Sequence, residues 1–453
     1  MNKQSLTVIG GGLAGCEAAW QAAQRNIKVN LYEMRPIIMS GVHKTSLLGE
    51  LVCSNSFGSQ LADRASGCLL NELERLKSIV VQCAQASALP SGGALAVDRE
   101  CFATLLTKII EGHPNINVIR EEIKNITSDP TIIATGPLSS PAISRAITDL
   151  TGKDQLFFFD AVAPIVSYES INMNIAFKAS RYNRGVLEDG DYINCPFDKA
   201  QFECFVNELL SAERYPLKPF EEAINQGVDA GKGKYFEGCL PIEVLAARNP
   251  RALLFGPMRP IGLENPATGK RHYAIVQLRQ DNQRATLYNL VGFQTNLIVT
   301  AQKRVLHLIP GLEEADIVRY GQMHRNSYIL SPQLLDATMQ FRQKKELFFA
   351  GQITGVEGYL GNIASGLLAG INTVRWIRGK ELWILPQTTM MGALFDYITN
   401  ASAHDFQPMK ANFGLLPQLE DITKRGKRQR AGIFAKRADE SLSAWMQICW
   451  EED

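Results

Sequence analysis

Short apolar runs alternate with glycine and polar residues over the first 33 positions, and their spacing predicts a strand, a helix and a second strand. Residues 6–9 are apolar, and three glycines follow them directly. Apolar and small residues then recur at helical intervals over residues 13–25, and residues 28–33 have the pattern of a strand. The chain therefore opens with a predicted βαβ unit.

Two amphipathic helices are predicted in the segment that follows. Leucines and an isoleucine repeat at helical spacing from residue 69 to residue 79, and we expect that helix to pack on the sheet. Asp98 stands where a helix N-cap is expected, ahead of a second apolar repeat that ends near Ile109. Apolar runs near Val118 and at residues 131–135 predict two more strands of the first domain.

The pattern changes beyond residue 157. Strand-like runs such as residues 274–278 and 287–293 are separated by proline and glycine turns, which indicates a second, mixed α/β domain inserted into the first. An apolar run at 347–350 and a helix over 362–378 then return the chain to the opening sheet, and a short helical appendage follows Pro386. The predicted division is the first part of the opening domain at residues 1–156, an inserted domain at 157–340, a return segment of the opening domain at 341–385 and a basic helical tail at 386–453.

Composition narrows the class of protein without identifying it. The 453 residues include 47 Lys and Arg, 46 Asp and Glu, and 45% hydrophobic residues, which excludes a disordered or fibrous chain. The longest uncharged stretch, residues 78–97, contains glutamines, a proline and glycines, so we predict no membrane span. Nine cysteines without a zinc-type or thioredoxin-type spacing favour a reducing cytoplasm and predict no metal site.

Three glycines form a dinucleotide-binding fingerprint between the first predicted strand and helix. Gly10, Gly12 and Gly15 have the spacing G-x-G-x-x-G, and Glu33 ends the next strand. Such glycines allow a tight turn, let the backbone approach a pyrophosphate and let helix and strand pack closely, while Glu33 can accept hydrogen bonds from a ribose. The alternative is a glycine-rich turn without a ligand. The predicted dinucleotide contacts are Gly10, Gly11, Gly12, Leu13, Ala14, Gly15 and Glu33.

Two later segments favour FAD over NAD as the dinucleotide. Residues 132–136 have the sequence IIATG and residues 348–352 have the sequence FFAGQ, and both are similar to flavin-contacting strand ends of two-domain flavoproteins. The expected flavin contacts from these segments are Thr135, Gly136 and Gly351. An acid often follows the last of these glycines in such flavoproteins, where this chain has Gln352, so either the Gln352 amide or the Glu357 carboxylate is expected to make that contact. No second complete fingerprint occurs, so NADPH or NADH is expected to dock against the flavin transiently.

Two of the nine cysteines lie in polar, turn-like segments. Cys53 lies in ELVCSNS and Cys239 in YFEGCLP, and each is either reactive or a bystander because spacing alone does not decide. Four others lie in helical apolar patterns and are predicted to be small core residues, namely Cys68, Cys83, Cys101 and Cys204.

A basic cluster in the tail contrasts with the near-neutral balance of the whole chain. Seven lysines and arginines fall within residues 424–437, and that segment contains no acid. Such a run is either solvated surface or a contact for the phosphate backbone of a nucleic acid. The residues predicted to contact phosphate are Lys424, Arg425, Lys427 and Arg428.

Ten segments of the chain resemble one enzyme family. They include ELVCSNSFGS around Cys53, SGGALAVDRE, YFEGCLPIE around Cys239, YAIVQLRQDN and AGQITGVEGYL. Together they are similar to the folate- and FAD-dependent tRNA (uracil-5-)-methyltransferases, the TrmFO family, from Val8 to Arg375. The resemblance implies an α/β fold with a Rossmann-like, glutathione-reductase-type FAD-binding domain and an inserted mixed α/β domain. It also implies a cytoplasmic enzyme that forms 5-methyluridine in the T-arm of tRNA.

The reaction that the resemblance implies needs a nucleophilic cysteine. Carbon-5 of uracil is a weak nucleophile, and addition of a thiolate to carbon-6 makes carbon-5 enolate-like. Methylenetetrahydrofolate supplies carbon at the formaldehyde level, and reduced FAD, recharged by NADPH or NADH, supplies the hydride that makes it a methyl group. By resemblance Cys239 is the nucleophile and Cys53 has a supporting acid–base or flavin-proximal role, or the two roles are exchanged. Tyr359 and His324 are expected beside the flavin and pterin rings, and a core tyrosine and a buried histidine are the alternatives.

Three other functions stay open at this point. The larger tRNA-uridine modifying flavoproteins of the GidA type share the fingerprint and act with a partner protein, but this chain has no room for their long helical C-terminus. The same chemistry on ribosomal RNA fits every residue discussed above. A non-catalytic flavin- and RNA-binding protein would need neither cysteine segment. We therefore expect tRNA and folate as partners, with no obligatory protein partner.

Overall fold

The computed structural model of the 453-residue chain describes residues 5–126, 129–152, 156–215, 240–404, 406–419 and 426–449. Its strands are β1 (Ser5–Ile9), β2 (Lys28–Tyr32), β3 (Ser56–Ser59), β4 (Ala88–Leu89), β5 (Ala94–Val97), β6 (Ile116–Ile119), β7 (Thr131–Ile133), β8 (Leu156–Ala161), β9 (Ile165–Ser167), β10 (Phe177–Ala179), β11 (Tyr192–Phe197), β12 (Ala274–Gln280), β13 (Leu287–Leu290), β14 (Ile317–Arg319), β15 (Met323–Tyr328), β16 (Leu347–Phe349), β17 (Val356–Glu357) and β18 (Met409–Lys410).

The helices within the described ranges connect and cover these strands. They are α1 (Leu13–Gln24), α2 (Ala65–Arg75), α3 (Ile79–Ala86), α4 (Arg99–Glu111), α5 (Pro141–Thr151), α6 (Lys199–Ser211), α7 (Ile242–Arg248), α8 (Ala252–Phe255), α9 (Val299–Leu306), α10 (Ser331–Leu334), α11 (Tyr359–Ile377), α12 (Met390–Asn400) and α13 (Lys427–Cys449). As the sequence predicts, Asp98 caps α4, because its side chain accepts a hydrogen bond from the backbone N–H of Cys101 at 2.9 Å.

Five parallel strands form the central sheet, in the order β16-β7-β1-β2-β6. Every residue of β7 and of β16 is buried, so both faces of the sheet are covered there. The predicted βαβ opening is therefore the middle of this sheet, with β1 paired on one side to β2 and on the other to β7.

Helices α1 and α11 cross at close range beside the central sheet. Gly366 and Gly370 of α11 meet the backbone of Ala14 and Ala18 on α1, and a Cβ atom at Gly366 would lie 2.2 Å from the Ala14 carbonyl oxygen. Only a residue without a side chain lets the two backbones approach to this distance. The contact holds the beginning of α1 against the segment that follows β16.

A second sheet has six antiparallel strands in the order β10-β11-β12-β13-β9-β14. Side chains alternate along β12. Ala274, Val276 and Leu278 belong to the apolar core beneath the sheet. Gln277 and Arg279 lie on the opposite, polar face, and this face meets the segment that contains Cys53.

The two sheets draw on separate stretches of the chain. The central sheet takes its strands from residues 5–133 and 347–349, whereas the six-stranded sheet takes them from residues 165–319. The four-segment division predicted from the sequence stays a prediction. In the described part of the chain, no helix combines the length and the apolar composition that crossing a bilayer demands.

The single helix predicted over residues 69–79 is wrong. The apolar repeat is shared by two helices, since α2 ends at Arg75 and α3 begins at Ile79. Lys77 has a φ of 60°, and the Ser78 hydroxyl accepts from Val81 N to start the new helix. The main partners of α2 are also helices, namely α11, α12 and α13. The apolar residues keep helical spacing across the turn because Leu76 and Ile79 are buried in the same core.

The predicted appendage after Pro386 is wrong as well, because this segment is part of the main core. Helix α12 buries Met390, Met391 and Phe395, and its first N–H groups donate to the buried carboxylate of Glu72 at 2.6 and 2.8 Å. Helix α13 is 23 residues long and packs on α2. Its Trp445 ring meets Trp383 edge-on at a centroid distance of 5.0 Å.

Candidate dinucleotide cleft and cysteine cavity

The turn between β1 and α1 is built from glycines that the backbone requires. Gly10 has a φ of 108°, and a Cβ atom at Gly15 would lie 1.8 Å from the Gly10 carbonyl oxygen. Helix α1 begins at Leu13 directly after Gly12, and no side chain caps this end. Its free N–H groups and the positive end of its dipole therefore suit a phosphate.

Glu33 follows β2 and holds the glycine turn from the other side. One oxygen of its carboxylate accepts from Gly11 N at 2.9 Å, and the other accepts from Arg35 Nε at 2.8 Å and Arg35 N at 3.0 Å. Arg35 is almost fully buried and also bonds Glu50 at 3.0 Å. Burial pushes the pKa of Glu33 upward, but the bonds and charge of Arg35 with the Gly11 N–H outweigh it, so the pKa lies below its usual value. The carboxylate is therefore ionised at neutral pH.

A cleft of about 1010 Å³ opens at the carboxyl ends of the parallel strands, where α/β folds bind their ligands. Part of this space is open to solvent. The predicted contact residues that line it are Gly10, Gly11, Gly12, Leu13, Ala14, Glu33, Thr135, Gly136, Gly351, Gln352 and Tyr359. Gly15 instead packs against the turn, and Glu357 is outside the lining.

The cleft has polar groups placed for a ligand at its α11 end. The Asn362 side chain lines the cleft, and its Oδ1 atom is buried without a hydrogen-bond partner among the described residues. A buried acceptor without a partner is costly, and a donor on a bound molecule would satisfy it. Gln352 also lines the cleft and donates from Nε2 to Glu357 Oε1 at 2.5 Å. Of the two contacts predicted here, the structure places the Gln352 amide in the cleft and Glu357 as its support.

Tyr359 connects the cleft to the cysteine loop, residues 51–55. The tyrosine lines the cleft, and its hydroxyl donates to Ser54 O at 2.8 Å and accepts from Cys53 N at 3.2 Å. Val52 lines the same cleft. One side of the cysteine loop therefore belongs to the wall of the dinucleotide cleft.

Three arginines from separate elements fasten the cysteine loop. Arg99 at the start of α4 donates to Leu51 O at 2.7 Å and Cys53 O at 3.1 Å. Arg319 at the end of β14 donates to Val52 O at 2.9 Å. Arg279 on β12 donates to Ser54 Oγ and Asn55 Oδ1, both at 2.9 Å.

Positive charge is therefore concentrated around the thiol of Cys53. Asp281 is 3.2 Å from Arg99 Nε and is the acid that pairs with these guanidinium groups among the described residues. Burial lowers the pKa of Arg279, and burial together with the charge of Arg99 lowers the pKa of Arg319. A negative charge on a bound substrate is favoured in such surroundings.

A second cavity, the cysteine cavity, also borders the loop and has about 480 Å³ of space, part of it open to solvent. It is lined by Cys53, Ser54, Arg99, Ala163, Arg279, Asn289, Leu290, Val291, Gly292 and Gln294. Cys53 thus lines a polar, cationic cavity, while its neighbour Val52 lines the dinucleotide cleft.

Comparison with known proteins decides the family. The family model described as "Glucose inhibited division protein A" matches residues 5–381. The methylenetetrahydrofolate--tRNA-(uracil-5-)-methyltransferase TrmFO of Halalkalibacterium halodurans is 51% identical over 447 residues, which is 99% of this chain and all of that protein. The chain belongs to the TrmFO family. The TrmFO of Natranaerobius thermophilus is 53% identical over 94% of this chain and 96% of its own length.

The fold of this TrmFO family member is shared with GidA. The structure of Aquifex aeolicus GidA superposes with a TM-score of 0.66 at 15% identity, over 98% of this chain and 76% of the GidA chain. At that identity the likeness concerns the fold alone. The prediction of a Rossmann-like, glutathione-reductase-type α/β fold with an inserted mixed α/β domain is confirmed.

The remaining predicted site residues of the TrmFO chain lie partly outside the described residues. Cys239, Lys424 and Arg425 are outside them, and of Lys427 only the backbone, at the start of α13, is described. The His324 backbone lies in β15 opposite Asp160, and its side chain is also outside the description. Arg428 is exposed and pairs with Asp63 at 3.1 Å. Among the described residues, no group of three His, Cys, Asp or Glu side chains is arranged to hold a metal ion.

The other cysteines of the TrmFO chain divide differently from the prediction. Cys68 and Cys83 are buried, and burial raises the pKa of the Cys83 thiol to about 12. The prediction that Cys204 is a core residue is wrong, because its side chain lies on the exposed side of α6. Cys101 is half-buried at the start of α4, so its prediction as a core residue is only partly right. Both lie in helices whose apolar pattern covers one face, and the cysteines sit beside that face.

Sequence reasoning missed the charged residues that hold the site of this TrmFO family member. Arg99 and Arg279 occur inside the quoted segments SGGALAVDRE and YAIVQLRQDN, but nothing in their local spacing indicates Cys53 as a partner. Arg35 follows Glu33 by two residues, and this closeness in the sequence could have indicated that the two side chains form an ion pair. Asn362 had no local signal at all.

Proposed function

We propose that this chain transfers the one-carbon unit of methylenetetrahydrofolate to carbon-5 of a uridine in the T-arm of tRNA, with FAD as its cofactor. The observation that carries the proposal is Tyr359, because its side chain lines the dinucleotide cleft, accepts from Cys53 N and donates to Ser54 O. The cysteine loop and the dinucleotide cleft are thereby held together. The relatives named above are methylenetetrahydrofolate--tRNA-(uracil-5-)-methyltransferases by name.

FAD fits the cleft by its chemistry. The uncapped start of α1 would hold the pyrophosphate, Glu33 would accept from a ribose, and Asn362 and Gln352 would meet the polar edge of the ring system. Reduced FAD, recharged by NADPH or NADH, supplies the hydride that completes the methyl group. The chain's own residues position these groups and keep Glu33 ionised.

The two cysteines are proposed to serve the cysteine cavity. Cys53 lines it directly. Ile242, three residues after Cys239, donates from its backbone N–H to Gln294 O at 2.8 Å, and Gln294 also lines the cavity. Cys239 itself lies outside the described residues, and its role is proposed from the family resemblance of its segment, YFEGCLPIE. We assign Cys239 as the nucleophile toward carbon-6 and Cys53 as the supporting group, or the reverse.

The basic tail is kept as a proposed phosphate contact. Its seven cations stand without an acid between residues 424 and 437. Two of them have acidic partners elsewhere, since Arg428 pairs with Asp63 and Lys436 lies 3.7 Å from Glu440. Exposed pairs of this kind are weak and can be exchanged for phosphate contacts.

The direct test uses unmodified tRNA transcript, methylenetetrahydrofolate with a labelled carbon, and NADPH or NADH. We expect the purified protein to be yellow and to place the label on carbon-5 of a T-arm uridine. Label in ribosomal RNA only would move the activity to that substrate. Labelled carbon in neither RNA, with a methyl group taken from S-adenosylmethionine instead, would overturn the proposal.

Tyr359→Phe is expected to reduce turnover about tenfold while FAD stays bound. The variant keeps the ring but removes the hydroxyl that holds Cys53 N and Ser54 O, and lost hydrogen bonds of this kind cost about 1–3 kcal/mol. Flavin absorbance of the purified variant and the initial rate of methylation measure the two effects. Tyr397→Phe is the matched control, because that hydroxyl donates to Gln407 O away from the site. Equal rates for both variants would contradict the role given to Tyr359.

Glu33→Gln is expected to lower the free energy of unfolding by about 3 kcal/mol, because one partner of a buried ion pair is removed. The pKa of Glu33 is lowered in the folded state, so its contribution is present above the unfolded value of about 4.3 and is lost as the pH falls through the folded value. Urea unfolding across acidic pH should therefore show wild type and variant converging as the pH drops.

Glu111→Gln is the control for this series, since Glu111 pairs with Arg120 at 2.8 Å on the surface. An exposed pair contributes about 1 kcal/mol or less. A Glu33 variant no less stable than the Glu111 variant, or a difference that does not shrink toward low pH, would refute the assignment of a buried, ionised Glu33.

A further inference from the structure

Two loops beside the six-stranded sheet form one exposed surface. The first follows β10 and the second follows α8, and they are joined by hydrogen bonds. Tyr182 N donates to Gly262 O at 2.7 Å, and the Arg181 guanidinium donates to Arg259 O at 3.0 Å and to Ile261 O. We call the set Arg181, Tyr182, Arg184, Phe255 and Arg259 the arginine–aromatic surface.

This surface is positively charged. Residues 176–187 and 244–263 contain no Asp or Glu, although they contain six arginines and lysines. Of the bordering acids, Asp189 pairs with Lys178 at 2.7 Å and Glu264 pairs with Arg271 at 2.9 Å, whereas Glu188 is exposed next to Leu187. Burial and then the neighbouring charge of Arg259 lower the pKa of Arg181. Like charges held side by side favour an anionic partner.

Tyr182 is exposed and strained. Its ring is 54% exposed, and its backbone has a φ of 59° and a ψ of 28°, a left-handed conformation that bulky residues rarely adopt. The ring rests on Gly262, where a Cβ atom would lie 2.7 Å from it, and the Arg184 guanidinium is 5.9 Å from the ring centre. Strain that burial does not compensate is typical of functional positions.

Phe255 adds a second exposed ring to the same surface. It ends α8 and is 77% exposed, whereas most of the phenylalanines whose side chains the structure describes lie in or against the two main cores. Arg259 follows it by four residues, and the Arg259 N–H donates to Gly256 O. Exposed rings beside exposed guanidinium groups form the combination that binds single-stranded nucleic acid, because bases stack on the rings and phosphates meet the cations.

Two sets of contacts connect the arginine–aromatic surface to residues that line the cysteine cavity. A Cβ atom at Gly292, which lines the cavity, would lie 2.7 Å from Pro257 in the second loop. Arg181 also donates to Gln277 Oε1 at 2.9 Å, and Gln277 is two residues, roughly 7 Å, from the cavity residue Arg279 on the same face of β12. A molecule whose reacting part occupies the cavity can therefore extend over this surface.

We propose that the arginine–aromatic surface binds the RNA substrate next to the modified uridine, with bases stacked on Tyr182 and Phe255 and phosphates held by Arg184 and Arg259. The inference rests on the proposed function, which supplies an RNA as the substrate. It names a binding surface separate from the basic tail, whose described residue Arg428 is paired with Asp63.

The test measures binding of fluorescently labelled, unmodified tRNA transcript to the full-length protein over a series of salt concentrations. Tyr182→Gly and Phe255→Ala are each expected to weaken binding at least about fivefold, as loss of one stacked base does. Arg184→Ala with Arg259→Ala should flatten the slope of log affinity against log salt by about two. Tyr182→Phe keeps the ring and should bind as wild type does.

A structural role for Tyr182 predicts a different result. Glycine adopts the left-handed conformation without strain, so Tyr182→Gly should be at least as stable to heat as the wild type although it binds RNA less well. If the ring only supported the fold, the thermal midpoint of Tyr182→Gly would fall. Ile448→Ala and Arg378→Ala, both exposed and outside the surface, are the matched controls and should leave RNA affinity unchanged.

The outcomes separate this inference from the proposed function. If RNA binding is weakened in the surface variants and not in the controls, the proposed RNA-binding surface is supported. This holds even if the wild type transfers no folate carbon, and in that case only the proposed function fails. Unchanged affinity in all surface variants overturns the inference and assigns the surface to another partner, such as an acidic protein. Equal losses in the Arg378 and Ile448 controls would overturn it too. In turnover, the variants should raise KM and leave kcat unchanged, as loss of uniform binding does.

Discussion

Replacing Cys239 by alanine is expected to abolish methylation, by a factor on the order of 10³ or more, while FAD stays bound. Without a thiolate at carbon-6, carbon-5 of uracil has no enolate character and cannot attack the folate carbon. Cys53→Ala is expected to reduce turnover about 10²- to 10⁴-fold, the range for loss of a positioned acid or base. Both are measured as transfer of labelled folate carbon to tRNA transcript, with flavin absorbance as the record of bound cofactor.

Trapping a covalent adduct with RNA decides which of the two cysteines is the nucleophile. RNA with 5-fluorouridine at the target position should form a covalent adduct with the nucleophilic cysteine, and peptide mass spectrometry identifies which one. An adduct on Cys53 would reverse the assignment, and loss of FAD from either variant would remove the distinction between catalysis and binding. Cys204→Ala is the matched control, since that thiol is exposed on α6 and should be replaceable without effect.

The second large effect is expected at Gly15. A Cβ atom there would lie 1.8 Å from the Gly10 carbonyl oxygen, which is backbone and cannot rotate away. Gly15→Ala must therefore displace α1 from the glycine turn, and we expect a loss of about 3 kcal/mol or more of folding free energy together with loss of FAD. Urea unfolding and flavin content of the purified variant measure the two losses.

Gly12→Ala tests the cleft without touching the packing. A Cβ atom at Gly12 meets no atom within 4 Å and its backbone angles suit alanine, so the fold should be unaffected. The new methyl group would enter the space where the pyrophosphate is proposed, and FAD affinity should fall. Gly432→Ala, also in open space on α13, is the neutral control. A Gly15 variant as stable in urea as the Gly12 variant would contradict the packing role of Gly15.

Features that depend on neighbours in the chain were predictable. The glycine turn, the cap at Asp98 and the acid at the end of β2 each follow from a few consecutive residues whose backbone needs are met locally. Reasoning from neighbouring residues also predicted one helix in place of α2 and α3. Both helices contribute to one core, and helical spacing does not reveal the turn at Lys77. The same reasoning left α12 outside the core, although its buried face packs on elements far away in the chain.

Local sequence therefore determined the dinucleotide turn and the α/β class, whereas tertiary structure alone decided what surrounds Cys53. Tyr359 is 306 residues from Cys53, and Arg279 is 225 residues from Ser54. No spacing rule links such positions, since they meet only after two sheets have packed against one loop. The physical reason is that hydrogen bonds and charges act over a few ångströms in space, irrespective of distance along the chain.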